Sequence, residues 1–157
     1  MLQALGPTGF NLVSPYSQAV KVDPRPYQPH AGKWIVIPSL GVELHIREGD
    51  GSNNIPQWVA LHYPHTASPG AAGNSYLYAH GLWQMFGPLL YARVGDAVLI
   101  RDYDTGTGQA FHVLQVVGRV PYNSTRYIRA ASSRPMLTLQ TCVDYDLKGD
   151  RFIVIAG

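Results

Sequence analysis

Met136-Leu137-Thr138-Leu139-Gln140-Thr141-Cys142 alternates side chains along its length and ends on the single cysteine of the chain. A period of two is the mark of a β-strand with one face turned to a core. Leu137, Leu139 and Thr141 then share the core face, and Thr138, Gln140 and Cys142 project on the other. The thiol is thereby placed at a strand end beside a loop, where it is reachable and open to activation.

Working outward, short β-type runs recur on both sides. Trp34 to Ile37 is closed by Pro38, and Val42, Leu44 and Ile46 alternate with Glu43, His45 and Arg47, which predicts a hairpin. Ser75 to His80, Ala97 to Arg101, Ala110 to Val120 and Arg151 to Ala156 read as further strands between Gly- and Pro-rich turns. Ile55 to His62, with Pro56 in its first turn, is expected to form a short helix. A loop or second short helix holds Trp83, Met85, Phe86 and Leu89. Seven or eight short strands over residues 33–157 with no long helix predict a mostly β chain closed into a barrel, because closure removes unpaired edges.

Composition agrees and excludes other classes. The 157 residues suit one domain, and the 16 Gly, 12 Pro and 10 Tyr are those of short strands joined by turns. Charged residues are 14% against about 25% in an average domain, and the net charge is +2. Disorder, coiled coil and electrostatically driven nucleic-acid binding are excluded. Residues 1–32 carry five prolines and no sustained period, and are expected to be an irregular arm or stalk. The apolar runs fall far short of the ~18 to 20 residues that span a bilayer, and the first residues lack the pattern of a secretory signal. One cysteine forbids an internal disulfide and a Cys-rich zinc site.

A free cysteine is more often an inert core residue than a nucleophile. Nucleophilic catalysis needs a proton-handling partner and a stabiliser for developing negative charge. Of the six histidines, His80 alone ends a strand and is followed at once by glycine. His30 and His65 lie in Pro-rich loops, His62 ends the expected helix, and His45 and His112 lie inside strands, where a structural role is the simpler one. Arg151 opens the last strand nine residues after Cys142, so a hairpin would set its guanidinium beside the thiol, where it suits a carbonyl or oxyanion. Taken alone, it reads first as an ordinary exposed strand-end cation.

Thr138-Leu139-Gln140-Thr141-Cys142, with Ala79-His80-Gly81 before it and Asp150-Arg151-Phe152 after it, resembles the Thr-Leu-x-Thr-Cys, histidine and arginine elements of the sortases in their order. The resemblance extends to Gly73-Asn74, Gly95-Asp96 and the closing run from Phe152, covering about residues 33–157. It implies a sortase-type β-barrel and a cysteine transpeptidase that recognises a Leu-Pro-x-Thr-Gly-like sorting motif in secreted proteins. By that resemblance Cys142 is the nucleophile, His80 the acid and base, and Arg151 the group that binds the motif's backbone or the oxyanion. Thr141 becomes a supporting contact. The acceptor implied is a primary amine of peptidoglycan or of a pilin.

The resemblance also implies that the loop Pro121 to Arg134, with Tyr122, Tyr127 and Ile128, helps select the motif. The plainer reading is a solvated connection whose aromatic residues pack back on the barrel. Gly81 departs from the arginine that follows the histidine in many sortases and leaves the class open. Glu48, Asp50, Asp102, Asp104, Asp144 and Asp146 show no calcium-loop spacing, so no cofactor, no obligatory metal and no calcium modulation are predicted. The family implies a membrane tether and a place on the outer face of the bacterial membrane, with residues 1–32 as the stalk of an ectodomain. Two other classes stay open on the residues alone: a thiol hydrolase or protease of the same fold, and a non-catalytic β-barrel binding module.

Overall fold

The computed structural model of the chain describes residues 25–143 and 148–157. Most of the expected stalk, and Asp144 and Asp146, lie outside the described residues; 25–32 run as irregular chain. Strand β1 (Lys33–Ile37) turns through a 3-10 segment, Pro38–Leu40, into β2 (Val42–Glu48). Proline opens that turn and Gly41 closes it at φ +67°, a left-handed conformation that glycine adopts without steric cost. The hairpin pairs Trp34 with His45 and Ile37 with Val42. Strands β3 (Val59–His62), β4 (Gly73–Ala79), β5 (Ala97–Asp102), β6 (Thr107–Val120), β7 (Pro135–Cys142) and β8 (Arg151–Ala156) follow. Their spatial order is β1-β2-β3-β4-β7-β8-β6-β5, and β5 pairs back on β1 to close an eight-stranded barrel.

Residues 55–62 do not form the expected helix. Val59 to His62 is β3, parallel to β2 on one side and antiparallel to β4 on the other, and all four of its residues are buried. Four residues covered on both faces do not show the alternation that marks β2, and Pro56 just before them mimics a helix start. Among the described residues the helical pieces are two 3-10 turns, Pro38–Leu40 and Gly87–Tyr91, and no helix is long and apolar enough to cross a membrane.

Two apolar clusters hold the barrel. Its interior is filled by one face of each strand, including Ile35, Ile37, Leu44, Leu77, Leu137, Leu139 and Val154. Met85, Phe86 and Leu89 plug this interior from the segment after β4, and each is fully buried. Sealing one such side chain contributes about 1.5–3 kcal/mol. The second cluster lies on the outer face: Val59, Leu61, Tyr76, Tyr78 and Ile153, under Tyr127 and Ile128 of the long loop between β6 and β7. That loop explains why Thr138, which faces away from the barrel interior, has no exposed surface.

Candidate active site

Three neighbouring strands bring the candidate side chains to one rim. Parallel strands β4 and β7 end at the same rim, with Ala79 opposite Thr141. The next residue on each chain is His80 or Cys142. Strand β8 runs antiparallel to β7 and starts at that rim, with Arg151 opposite Cys142. Leu137, Leu139 and Val154 point into the core, so alternation sets Cys142 and Arg151 together on the outer face. The thiol strand lies between the other two.

Each group is held by backbone. His80 Nε2 lies 2.5 Å from the carbonyl oxygen of Ile55; a carbonyl only accepts, so this nitrogen carries the proton. The chain beyond His80 bends tightly against β7: a Cβ on Gly81 would overlap the carbonyl oxygen of Cys142. Glycine after the histidine is therefore a packing requirement at the thiol. Cys142 is free and half-buried. Its hairpin is closed by the Val143 N–H donating to Asp150 O at 3.2 Å. Arg151 is only 6% exposed, and its Nη1 donates to Gly149 O at 2.5 Å. A guanidinium so held has little freedom to lose on gripping an anionic or carbonyl oxygen.

Beside the rim is a depression of about 160 Å³ whose lining includes Tyr63, Tyr78, Tyr122, Ile128, Gln140 and Arg151. Residues 51–53 form one wall and 122–125 the other. The first wall is fixed by the Gly51 N–H donating to the Tyr78 phenol at 3.1 Å. Burial pushes the Tyr78 phenol above its ordinary pKa, so it remains neutral. Tyr76 is pushed up further by burial, against the opposing pull of the Arg151 charge. A larger depression of about 510 Å³ lies around Leu99, Arg101 and Ala110 on β5 and β6, strands that carry none of the three rim residues; of those three, Arg151 lines the smaller depression. Among the described residues no group of three or more His, Cys, Asp and Glu is placed to hold a metal ion.

The remaining sequence candidates divide. Tyr122 and Ile128 line the depression with Arg151. Thr141 is fully buried, and its Oγ1 donates to Ala79 O at 3.2 Å, tying β7 to β4 below the thiol. Tyr127 packs against the outer cluster, and its carbonyl accepts from Asn74 Nδ2 at 2.9 Å. Sequence reasoning passed over two groups beside these candidates. The Ile55 carbonyl is backbone and leaves no side-chain signature. Gln140 was visible as the variable position of the Thr-Leu-x-Thr-Cys stretch, on the same face as Cys142.

A closed eight-stranded barrel with thiol, imidazole and guanidinium at one rim defines the class of this protein. The sortase-domain profile matches residues 35–157, and the chain belongs to the sortase family. Solved sortases share the fold. Sortase A of Listeria monocytogenes is similar at 20% identity and TM-score 0.68, over 82% of this chain and 86% of that one. Sortase C-1 of Actinomyces oris is 26% identical with TM-score 0.65, over 79% and 71% of the two chains. Sortase C1 of Streptococcus suis is 25% identical with TM-score 0.67, over 80% and 70%. No curated protein matches the chain significantly.

Proposed function

We propose that this sortase is a cysteine transpeptidase that cleaves a Leu-Pro-x-Thr-Gly-like motif in secreted proteins and transfers the acyl part to a primary amine of the cell wall or of a pilin. The observation that carries the reading is the pairing of Cys142 with Arg151 on one side and of the strand ending at His80 on the other.

In the first half-reaction the Cys142 thiol gives its proton to His80 and its sulfur attacks the Thr carbonyl carbon. A C–S bond forms, and negative charge gathers on the carbonyl oxygen, where the Arg151 guanidinium stabilises it. The Thr–Gly C–N bond then breaks, and the departing amine takes a proton from His80. In the second half-reaction an incoming amine attacks the thioester, gives a proton to His80, and forms the new amide as the C–S bond breaks. The depression beside Arg151 seats the motif, with Tyr122 and Ile128 among its contacts, while Thr141 and Tyr127 act through the positions of β7 and the long loop. On this reading the work is done at the outer face of the bacterial membrane.

The test is product analysis with a Leu-Pro-x-Thr-Gly peptide library, with and without triglycine. Amine-diverted product is expected. Hydrolysed product alone, unchanged by added amine, would assign a thiol hydrolase instead.

A further inference from the structure

We infer that Gln140 is a substrate-binding residue whose carboxamide N–H groups hold a backbone carbonyl of the acyl-donor peptide, and that Tyr76 fixes the orientation in which it does so. The inference rests on the reading of the groove just given and assigns a residue within it.

Gln140 precedes Cys142 by two residues on β7, faces the same way, and lines the same depression as Arg151. Its Oε1 accepts the Tyr76 phenol hydrogen at 2.5 Å. Tyr76 itself is 2% exposed and packed edge-on against Tyr63 with ring centroids 5.7 Å apart, so the donor cannot swing away. A carboxamide carries its acceptor and its two-hydrogen donor on opposite branches of one planar group. Fixing Oε1 on Tyr76 therefore points Nε2 away from that phenol, on a side chain that lines the depression. A side chain so anchored presents a donor at little further entropic cost.

Spacing identifies what the donor meets. Same-face residues on a strand repeat every two residues, about 6.6 Å apart. The carbonyls on one edge of an extended peptide repeat at the same interval. With the attacked carbonyl at Cys142 and the peptide laid parallel to β7, the carbonyl two residues toward the peptide's N-terminus falls at Gln140. In a Leu-Pro-x-Thr-Gly peptide that is the proline carbonyl, part of the acyl segment that the thioester would retain. The contact is to backbone, so it selects an extended conformation rather than a side chain.

The experiment measures binding of a fluorescent Leu-Pro-x-Thr-Gly peptide to the Cys142→Ala protein and to the same protein carrying Gln140→Met or Gln140→Glu. Glutamate keeps the acceptor for Tyr76 but offers no N–H donor; methionine keeps the length and loses both. Both changes are expected to weaken binding about tenfold, as loss of one well-placed hydrogen bond does. Tyr76→Phe is expected to weaken it about threefold. A peptide with the proline carbonyl replaced by a thioamide is expected to lose affinity for the parent and not for the Gln140 variants, a difference that general unfolding would not produce. Full affinity with Gln140→Glu would overturn the inference, because Gln140 would then serve only as the partner of Tyr76. Wild-type thioester formation separates the two readings. Gln140-dependent binding without any thioester would reject the transpeptidase and keep the contact; a thioester with Gln140-independent binding would reject the contact alone; no binding by the parent would reject both.

Discussion

Arg151 stands directly opposite Cys142 in the antiparallel β7–β8 ladder, and the arginine is almost wholly buried. A cation sealed beside a half-buried thiol is fixed by backbone register rather than by a flexible loop, so its position at the rim is as rigid as the sheet. Consequences for mutants follow from the same register.

Replacing any of the three rim residues should be costly in a characteristic way. Cys142→Ala is expected to abolish peptide cleavage, and His80→Ala and Arg151→Ala to lower kcat/KM by about a hundredfold or more each, as happens when members of one catalytic unit are removed. Steady-state kinetics on a quenched Leu-Pro-x-Thr-Gly peptide checks this. Near-normal turnover after one replacement would remove that residue from the mechanism.

Gly81→Ala should injure the site with a single methyl. The new Cβ has no room against the Cys142 carbonyl, so β4 and β7 must part at the rim. Overpacking of this kind costs about 1–3 kcal/mol. A fall in the thermal midpoint of a few degrees is expected, with at least a tenfold loss in kcat, because the displacement is at the thiol strand itself. Unchanged kcat would show that the rim tolerates the shift.

How much of this was legible in the sequence varies with residue and cause. Strands of five residues or more announced themselves, and Arg151–Ala156 lies where its apolar run put it although both its faces are covered. Val59 to His62 did not, since four residues are too few to show a period and Pro56 mimicked a helix start. The meeting of β4 with β7 is a long-range parallel pairing, which no local pattern encodes; the order of the histidine, cysteine and arginine elements supplied it only through resemblance. Tyr122 and Tyr127, five residues apart in one loop, looked equivalent as sequence. They differ because Asn74 captures the backbone at Tyr127, while Tyr122 is left at the depression with 43% of its surface exposed.

The capture by Asn74 gives a further expectation. Thr138 Oγ1 donates to Asn74 Oδ1 at 2.7 Å, and Asn74 Nδ2 donates to Tyr127 O at 2.9 Å, so one buried relay ties β7, β4 and the long loop together. Thr138→Val leaves the Asn74 oxygen without that partner and should destabilise by about 1–3 kcal/mol. Asn74→Ala frees the loop at Tyr127 and is expected to raise KM several-fold with a smaller change in kcat. Denaturant unfolding and peptide kinetics test the pair; an unmoved KM would show that the loop holds its position by apolar packing alone.

Alkaline pH should expose the buried phenol. Burial raises the pKa of Tyr76 in the folded state, so the folded chain holds the proton more tightly than the unfolded one. That contribution is complete below the ordinary tyrosine value of about 10 and is lost as pH rises through the higher folded value. Tyr76→Phe should be less stable than wild type at pH 9, having lost the hydrogen bond to Gln140, and the gap should narrow at pH 11. Urea midpoints at the two pH values decide it; a gap that widens would contradict the sign.

The most direct test of the catalytic assignment is intact-protein mass spectrometry of the acid-quenched enzyme shortly after mixing with a Leu-Pro-x-Thr-Gly peptide. The expected result is an adduct equal to the peptide's acyl segment, labile to hydroxylamine, mapped to Cys142, absent in Cys142→Ala and lost on adding triglycine. Peptide cleavage without any such adduct, or cleavage that survives Cys142→Ala, would contradict it.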